Sequence, residues 1–120
     1  AENEVKYESI YFLGFSCNGA SGIAYGLEND IRFKGIIAFM PALDRVPFSY
    51  YDFKNDFPPI AIITGSKDFA YKASKAMADI LTKYNRKKII LIDIPNAPHD
   101  FNIPERADAL TKAYGFINIK

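Results

Sequence analysis

The stretch Gly14-Phe15-Ser16-Cys17-Asn18-Gly19 decides how this sequence folds. It ends an apolar run at residues 10–15 and leads into a segment rich in small residues, 18–27. The run is typical of a buried β-strand, and the small residues favour a helix that packs closely on a sheet. A serine at such a sharp strand-to-helix turn has its hydroxyl held above the sheet edge, and its neighbours must be small.

Three further apolar runs, residues 35–39, 60–64 and 89–94, follow at intervals of about 25 residues. Continuous apolar runs indicate strands that are buried on both faces of a parallel sheet, and this spacing leaves room for crossover helices. Helical patterns occur at 71–84 and 104–114, whereas the proline-rich stretch 41–59 predicts a loop or a short broken helix. We therefore predict an α/β fold with a parallel, doubly wound sheet.

Polar residues of three types follow the carboxyl ends of the predicted strands. Ser16 follows the first strand, Asp68 the third and His99, the only histidine, the fourth. Active sites of open α/β sheets form at this edge, so the three side chains are expected to meet there.

These motifs resemble those of the α/β-hydrolases. The Gly14-Phe15-Ser16 turn is similar to their nucleophile elbow, although Asn18 stands where a second glycine usually falls and Gly19 comes one place late. The turn at residues 65–68 looks like their acid turn, and residues 95–101 look like their histidine loop, as in dienelactone hydrolases and prolyl-oligopeptidase-like enzymes.

The resemblance implies a serine esterase that cleaves carboxylic esters through an acyl-enzyme. Ser16 would be the nucleophile, Asp68 the acid and His99 the base, and the backbone N–H of Cys17 would stabilise the oxyanion. A prolyl-oligopeptidase-type aminopeptidase is the enzymatic alternative. A flavodoxin-like module that binds a ligand without catalysis is the alternative from another class, because such domains have a similar strand pattern.

The resemblance covers nearly the whole chain, so residues 1–120 are expected to form the C-terminal portion of a single α/β-hydrolase domain. The N-terminal strands of the family, and the second oxyanion N–H that their half donates, have no counterpart here. The expected partners are therefore that missing N-terminal half and a small ester substrate. Without further strands, the first strand would present an apolar sheet edge.

Several positions offer rival assignments. Cys17 is an alternative nucleophile, but Phe15 would then stand where a small residue is needed. Asp44 is an alternative acid, whereas Asp100 is expected to face solvent. The aromatic loop at residues 48–57 either lines a substrate pocket or covers the sheet. Its candidate substrate contacts are Phe48, Tyr50 and Tyr51.

Composition excludes several other classes of function. The chain has 120 residues, 49% of them hydrophobic, and a net charge of +1, so it lacks the basic surplus of a nucleic-acid-binding domain. One cysteine and one histidine cannot assemble a zinc site, and neither metal nor organic cofactor is expected. No run is long enough for a membrane span, and low cysteine use favours a soluble, cytoplasmic protein.

Overall fold

The computed structural model describes residues 10–28, 33–53 and 56–118 of the chain. Its regular elements alternate along the sequence, apart from the crossover between the second and third strands. The strands are β1 (Tyr11–Phe15), β2 (Gly35–Phe39), β3 (Ile60–Gly65) and β4 (Ile89–Ile94), and the α-helices are α1 (Cys17–Glu28), α2 (Tyr71–Asn85) and α3 (Arg106–Ile117). Each strand bound agrees with its predicted bound to within one residue.

The described strands form one parallel sheet in the order β1-β2-β3-β4. In this register Ala38 of β2 lies between Gly14 of β1 and Ile62 of β3. Because all strands run the same way, the residues that follow them gather at one edge of the sheet. The predicted parallel α/β architecture is confirmed.

Helices cover both faces of the sheet, and each face has its own hydrophobic core. Helices α1 and α2 pack on one face with the loop between β2 and β3, and α3 packs on the other. Alternate residues of β2 and β3 therefore enter different cores, which explains why these strands read as continuous apolar runs. The core shared by α1 and α2 includes Ile23, Leu27, Ile36, Ile62, Met77 and Leu81, and the α3 core includes Ile37, Phe39, Ile63, Ala109, Ala113 and Ile117.

The small residues of α1 allow this helix to approach the sheet closely, as the sequence predicts. A Cβ atom added to Gly22 would lie 2.4 Å from the ring of Phe12, and one added to Gly26 would lie 2.3 Å from Cδ1 of Ile36. A larger side chain at Gly22 would collide with the Phe12 ring, and one at Gly26 would require the end of the Ile36 side chain to move.

In the described residues of the crossover from β2 to β3, 40–53 and 56–59, there is no α-helix. The crossover forms two short 3-10 turns, Leu43–Arg45 and Phe48–Tyr50, in agreement with the prediction of a loop or a short broken helix. Tyr51 and Phe57 are buried in the core that α1 and α2 share. The loop thus takes the place of a helix as a cover on that face of the sheet.

The last helix differs from its predicted bounds of 104–114. Helix α3 begins at Arg106 and ends at Ile117. It therefore continues through Gly115, before which the sequence predicts that the helix ends. Ile117 is only 2% exposed and packs against Gly35, so the extra turn buries a large apolar side chain. That burial, worth about 2 kcal/mol, offsets the roughly 1 kcal/mol that a helical glycine costs.

Strand β1 lies at an edge of the sheet that is formed by the described residues. Its Leu13 side chain is 54% exposed, which is unusual for the middle of an apolar strand. An unpaired strand edge with exposed apolar side chains is a surface on which another strand can add. Within residues 10–28, 33–53 and 56–118, no helix is both long and apolar enough to cross a membrane.

Candidate active site

The turn after β1 holds Ser16 in a backbone conformation that non-glycine residues seldom adopt. Ser16 has a φ of 59°, in the left-handed region. Its N–H donates to the carbonyl of Phe39 (3.0 Å), and its carbonyl accepts from the N–H groups of Ala20 (3.1 Å) and Ala42 (3.0 Å). Such strained residues persist where the surrounding structure fixes them, and they concentrate at functional sites.

Two glycines leave the space that this turn requires. A Cβ atom on Gly14 would lie 2.6 Å from the carbonyl of Asn18, and one on Gly19 would lie 2.9 Å from the carbonyl oxygen of Gly14. Asn18 itself is exposed. The Asn18 backbone also lies close to Gly14, but its side chain points away into solvent, whereas a side chain at position 19 would meet the Gly14 carbonyl. Glycine is therefore needed at position 19 and not at position 18, so the one-place shift from the usual motif is compatible with this turn.

The structure brings together the three side chains that the sequence singles out. Ser16 Oγ lies 2.8 Å from Nε2 of His99, and Nδ1 of His99 lies 2.9 Å from Oδ1 of Asp68. The Asp68 side chain is fully buried, and that of His99 is 17% exposed. The residues follow β1, β3 and β4, so the parallel sheet brings their side chains to one edge. An imidazole that carries its proton on Nδ1 donates to Asp68 and accepts from the Ser16 hydroxyl.

Asp68 is fixed by its own turn. Its N–H donates to the carbonyl of Gly65 (3.0 Å), and its Oδ1 also accepts from the N–H of Ala70 (3.0 Å). Among the described residues Oδ2 of Asp68 has no hydrogen-bond partner, although it is buried.

The acid turn and the histidine loop are locked to each other. The N–H of Lys67 donates to the carbonyl of Ala97 (3.0 Å), and the N–H of Asn96 donates to Oγ of Ser66 (2.6 Å). A Cβ atom on Gly65 would lie 2.2 Å from the carbonyl oxygen of Ala97, so this contact requires glycine. Asp68 and His99 are thereby positioned by one continuous unit.

Aromatic rings flank the imidazole of His99. The ring of Phe69 lies 4.3 Å and that of Phe15 lies 5.1 Å from it, measured between ring centroids. Phe101 packs edge-on against Phe15 at 5.8 Å. The sequence pattern does not predict that the rings of Phe15 and Phe69 flank the imidazole. The sequence feature that could have indicated this position is adjacency to the candidate site residues, since Phe15 precedes Ser16 and Phe69 follows Asp68.

Cys17 is the first residue of α1, and its side chain is exposed. An N–H at the first position of a helix has no acceptor within the helix and lies at the positive end of its dipole. The imidazole of His99 hydrogen-bonds to the Ser16 hydroxyl. The Ser16 hydroxyl thus contacts the imidazole, and the Cys17 N–H lies at the N-terminus of α1.

The other two acidic candidates have contacts of their own. Asp44 forms an ion pair of 3.6 Å with Nε of Arg45, whereas Nδ1 of His99 contacts Asp68. Asp100 is exposed and accepts from the N–H of Asn102 (2.9 Å), as a turn residue does. In the described part of the chain, no group of three histidine, cysteine, aspartate or glutamate side chains is arranged to hold a metal ion.

The three aromatic candidates for substrate contact have different surroundings. Tyr51 is 7% exposed in the α1 and α2 core, and its ring packs edge-on against Phe48 at 6.2 Å. Burial raises the pKa of the Tyr51 phenol. Tyr50 is 77% exposed. The burial and packing favour the hydrophobic cover over a substrate pocket for Phe48 and Tyr51.

Comparison with solved structures identifies the fold. The chain resembles an S-formylglutathione hydrolase from Staphylococcus aureus (TM-score 0.66, 16% identity) over 90% of its own length and 51% of that chain. It resembles a predicted hydrolase from Thermoplasma acidophilum (0.69, 22%) over 92% and 52%, and a phosphonate-inhibited esterase B from Lactobacillus rhamnosis (0.69, 16%) over 91% and 52%. No protein-family model and no curated protein sequence matches the chain.

The described part of the chain therefore has the α/β-hydrolase fold. The chain spans about half the length of the solved structures that it matches. Esterases and other hydrolases recur among the solved structures that resemble the chain.

The close approach at the serine turn predicts that two neighbouring alanine substitutions differ in their effect on stability. Gly19→Ala should lower the free energy of unfolding by about 1–3 kcal/mol, because its Cβ would collide with the carbonyl of Gly14. Asn18→Ala is the matched control, because Asn18 is exposed, and it should change stability by less than about 0.5 kcal/mol. Urea unfolding followed by circular dichroism measures both. Equal effects would show that Gly19 makes no special contact.

Proposed function

We propose that this chain carries the catalytic triad of a serine hydrolase that cleaves carboxylic esters through an acyl-enzyme. The supporting observation is the unbroken chain of contacts from Ser16 through His99 to a buried Asp68. The contacts join residues that are far apart in sequence and follow different strands. The chance packing of surface side chains seldom produces such an order of hydroxyl, imidazole and carboxylate.

In the proposed first half-reaction, Ser16 Oγ attacks the ester carbonyl while Nε2 of His99 takes the hydroxyl proton. The N–H of Cys17 donates to the oxyanion that forms, with the positive end of α1 behind it. When the intermediate collapses, the bond from the carbonyl carbon to the alkoxy oxygen breaks, and His99 returns the proton to the departing alcohol. An acyl group is left on Ser16.

In the second half-reaction, water attacks the acyl carbon and gives its proton to His99. The bond to Ser16 Oγ then breaks, the serine regains the proton and the carboxylic acid leaves. Asp68 keeps the imidazole in its Nδ1-protonated orientation and stabilises the charged form in both halves. The flanking rings of Phe15 and Phe69 reduce access of water to the imidazole, which strengthens these electrostatic contacts.

The triad predicts the kinetics of single substitutions in the full-length gene product. Ser16→Ala and His99→Ala should each reduce kcat for an aryl ester by roughly a thousandfold or more, and the double variant should be no worse than either one. Cys17→Ser is the control and should keep most of the activity, because only its backbone takes part. Activity that survives Ser16→Ala but not Cys17→Ser would contradict the assignment.

The same assay separates the ester reading from the aminopeptidase reading. An esterase should hydrolyse the aryl ester far faster than an aminoacyl anilide, because an amide has a poorer leaving group. A preference for the anilide would favour the prolyl-oligopeptidase-type alternative.

We further propose that residues 1–120 are the C-terminal portion of one hydrolase domain, and that its N-terminal strands pair with the free edge of β1. The exposed Leu13 on that strand and the half-length match to the solved structures support this arrangement. The paired half would also supply the second oxyanion donor.

The proposed pairing at the edge of β1 predicts a different effect of Leu13→Lys in the isolated chain and in the full-length product. In the isolated 120-residue chain the lysine should reduce self-association, measured by sedimentation velocity, because it blocks strand addition. In the full-length product it should lower the unfolding free energy by about 1–3 kcal/mol, because a charge would be buried beside a paired strand. No loss of stability in the full-length product would contradict the pairing.

A further inference from the structure

Two side chains form a shelf beside the imidazole, which we call the Phe69–Arg45 shelf. The Phe69 ring lies 4.3 Å from the His99 ring, and Cζ of Arg45 lies 5.3 Å from the Phe69 centroid. The distance from the guanidinium carbon to the centre of the His99 ring therefore cannot exceed the sum of these two distances. A group bound at Arg45 would lie within reach of a molecule whose ester bond is at Ser16.

The shelf lies on the side of the site where an alcohol would leave. His99 must face the alkoxy oxygen that it protonates, so the alcohol part of an ester lies near the imidazole. Phe69 packs against that imidazole and follows Asp68 directly in sequence. Its ring is nevertheless 55% exposed, so it offers an apolar surface for the carbon skeleton of the alcohol part.

Arg45 supplies a positive charge at the far end of this surface. Its side chain is 66% exposed, and its guanidinium makes a cation–π contact with the Phe69 ring. The ion pair with Asp44 is long, 3.6 Å, and its contact is made through Nε of Arg45 rather than through the two Nη groups. A guanidinium fork matches the two oxygens of a carboxylate.

We propose that the Phe69–Arg45 shelf selects esters whose alcohol part carries a carboxylate. This inference rests on the proposed esterase function and adds the substrate class. The apolar spacer of the alcohol part packs on Phe69, and its carboxylate pairs with Arg45. Asp44 opposes this binding, because its carboxylate competes for the same guanidinium.

The test compares two acetate esters of one phenol with the full-length gene product. In one ester the para side chain ends in a carboxylate, and in the other that group is a primary amide, so the leaving-group chemistry is nearly equal. The measured quantity is the ratio of kcat/KM for the acid to that for the amide. Arg45→Gln should lower this ratio about tenfold, mainly through KM for the acid. Arg45→Lys should restore part of it, because it keeps the charge and loses the fork.

Matched variants and salt separate the shelf from general charge effects. Arg86→Gln removes the same charge from the turn before β4. This turn lies at the amino end of the strand, whereas Ser16, Asp68 and His99 follow carboxyl ends, so the ratio should not change. Asp44→Asn should raise the ratio about twofold to threefold, and about 0.5 M KCl should lower it in the wild type.

The outcomes distinguish the failure of this inference from that of the proposed function. If the amide ester is hydrolysed in a Ser16-dependent way but Arg45→Gln leaves the ratio unchanged, the shelf is not the binding site. An equal change of the ratio in Arg45→Gln and Arg86→Gln overturns it as well. If neither ester is hydrolysed, the esterase function fails and this inference fails with it.

Discussion

The backbone of Ser16 is the constraint on which the rest of the site depends. It is held at a φ of 59° because its N–H and carbonyl are bonded to the end of β2, to α1 and to the loop after β2 at once. These bonds can form only if α1 begins immediately against β1, and that approach is possible because positions 14 and 19 are glycines. The stability cost of the strained residue is therefore met by contacts of the sheet and helix, and these contacts fix the position of the hydroxyl.

A second constraint joins the other two members of the trio. The acid turn and the histidine loop share hydrogen bonds and a backbone contact at Gly65. These contacts hold the Asp68 carboxylate and the His99 imidazole at a fixed separation.

Much of the fold could be predicted because the strands are buried on both faces and read as uninterrupted apolar runs. The meeting of Ser16, Asp68 and His99 could be predicted too, since parallel strands bring their ends to one edge. The continuation of α3 through Gly115 could not, because it depends on the space that Gly35 leaves for Ile117. The different surroundings of Tyr50 and Tyr51, and the shelf made by Phe69 and Arg45, also depend on tertiary packing. The loop residues involved follow no helical or strand period that would reveal which ring is buried.

The most direct test of the account is covalent labelling of the full-length gene product with a fluorophosphonate probe, read by intact mass and peptide mapping. The probe reacts with a serine hydroxyl only when a base activates it and the oxyanion is stabilised. The account predicts a single adduct on Ser16 that is lost in Ser16→Ala and strongly slowed in His99→Ala. A folded, full-length product that gains no adduct, or gains it on Cys17, would contradict the proposed roles of these residues.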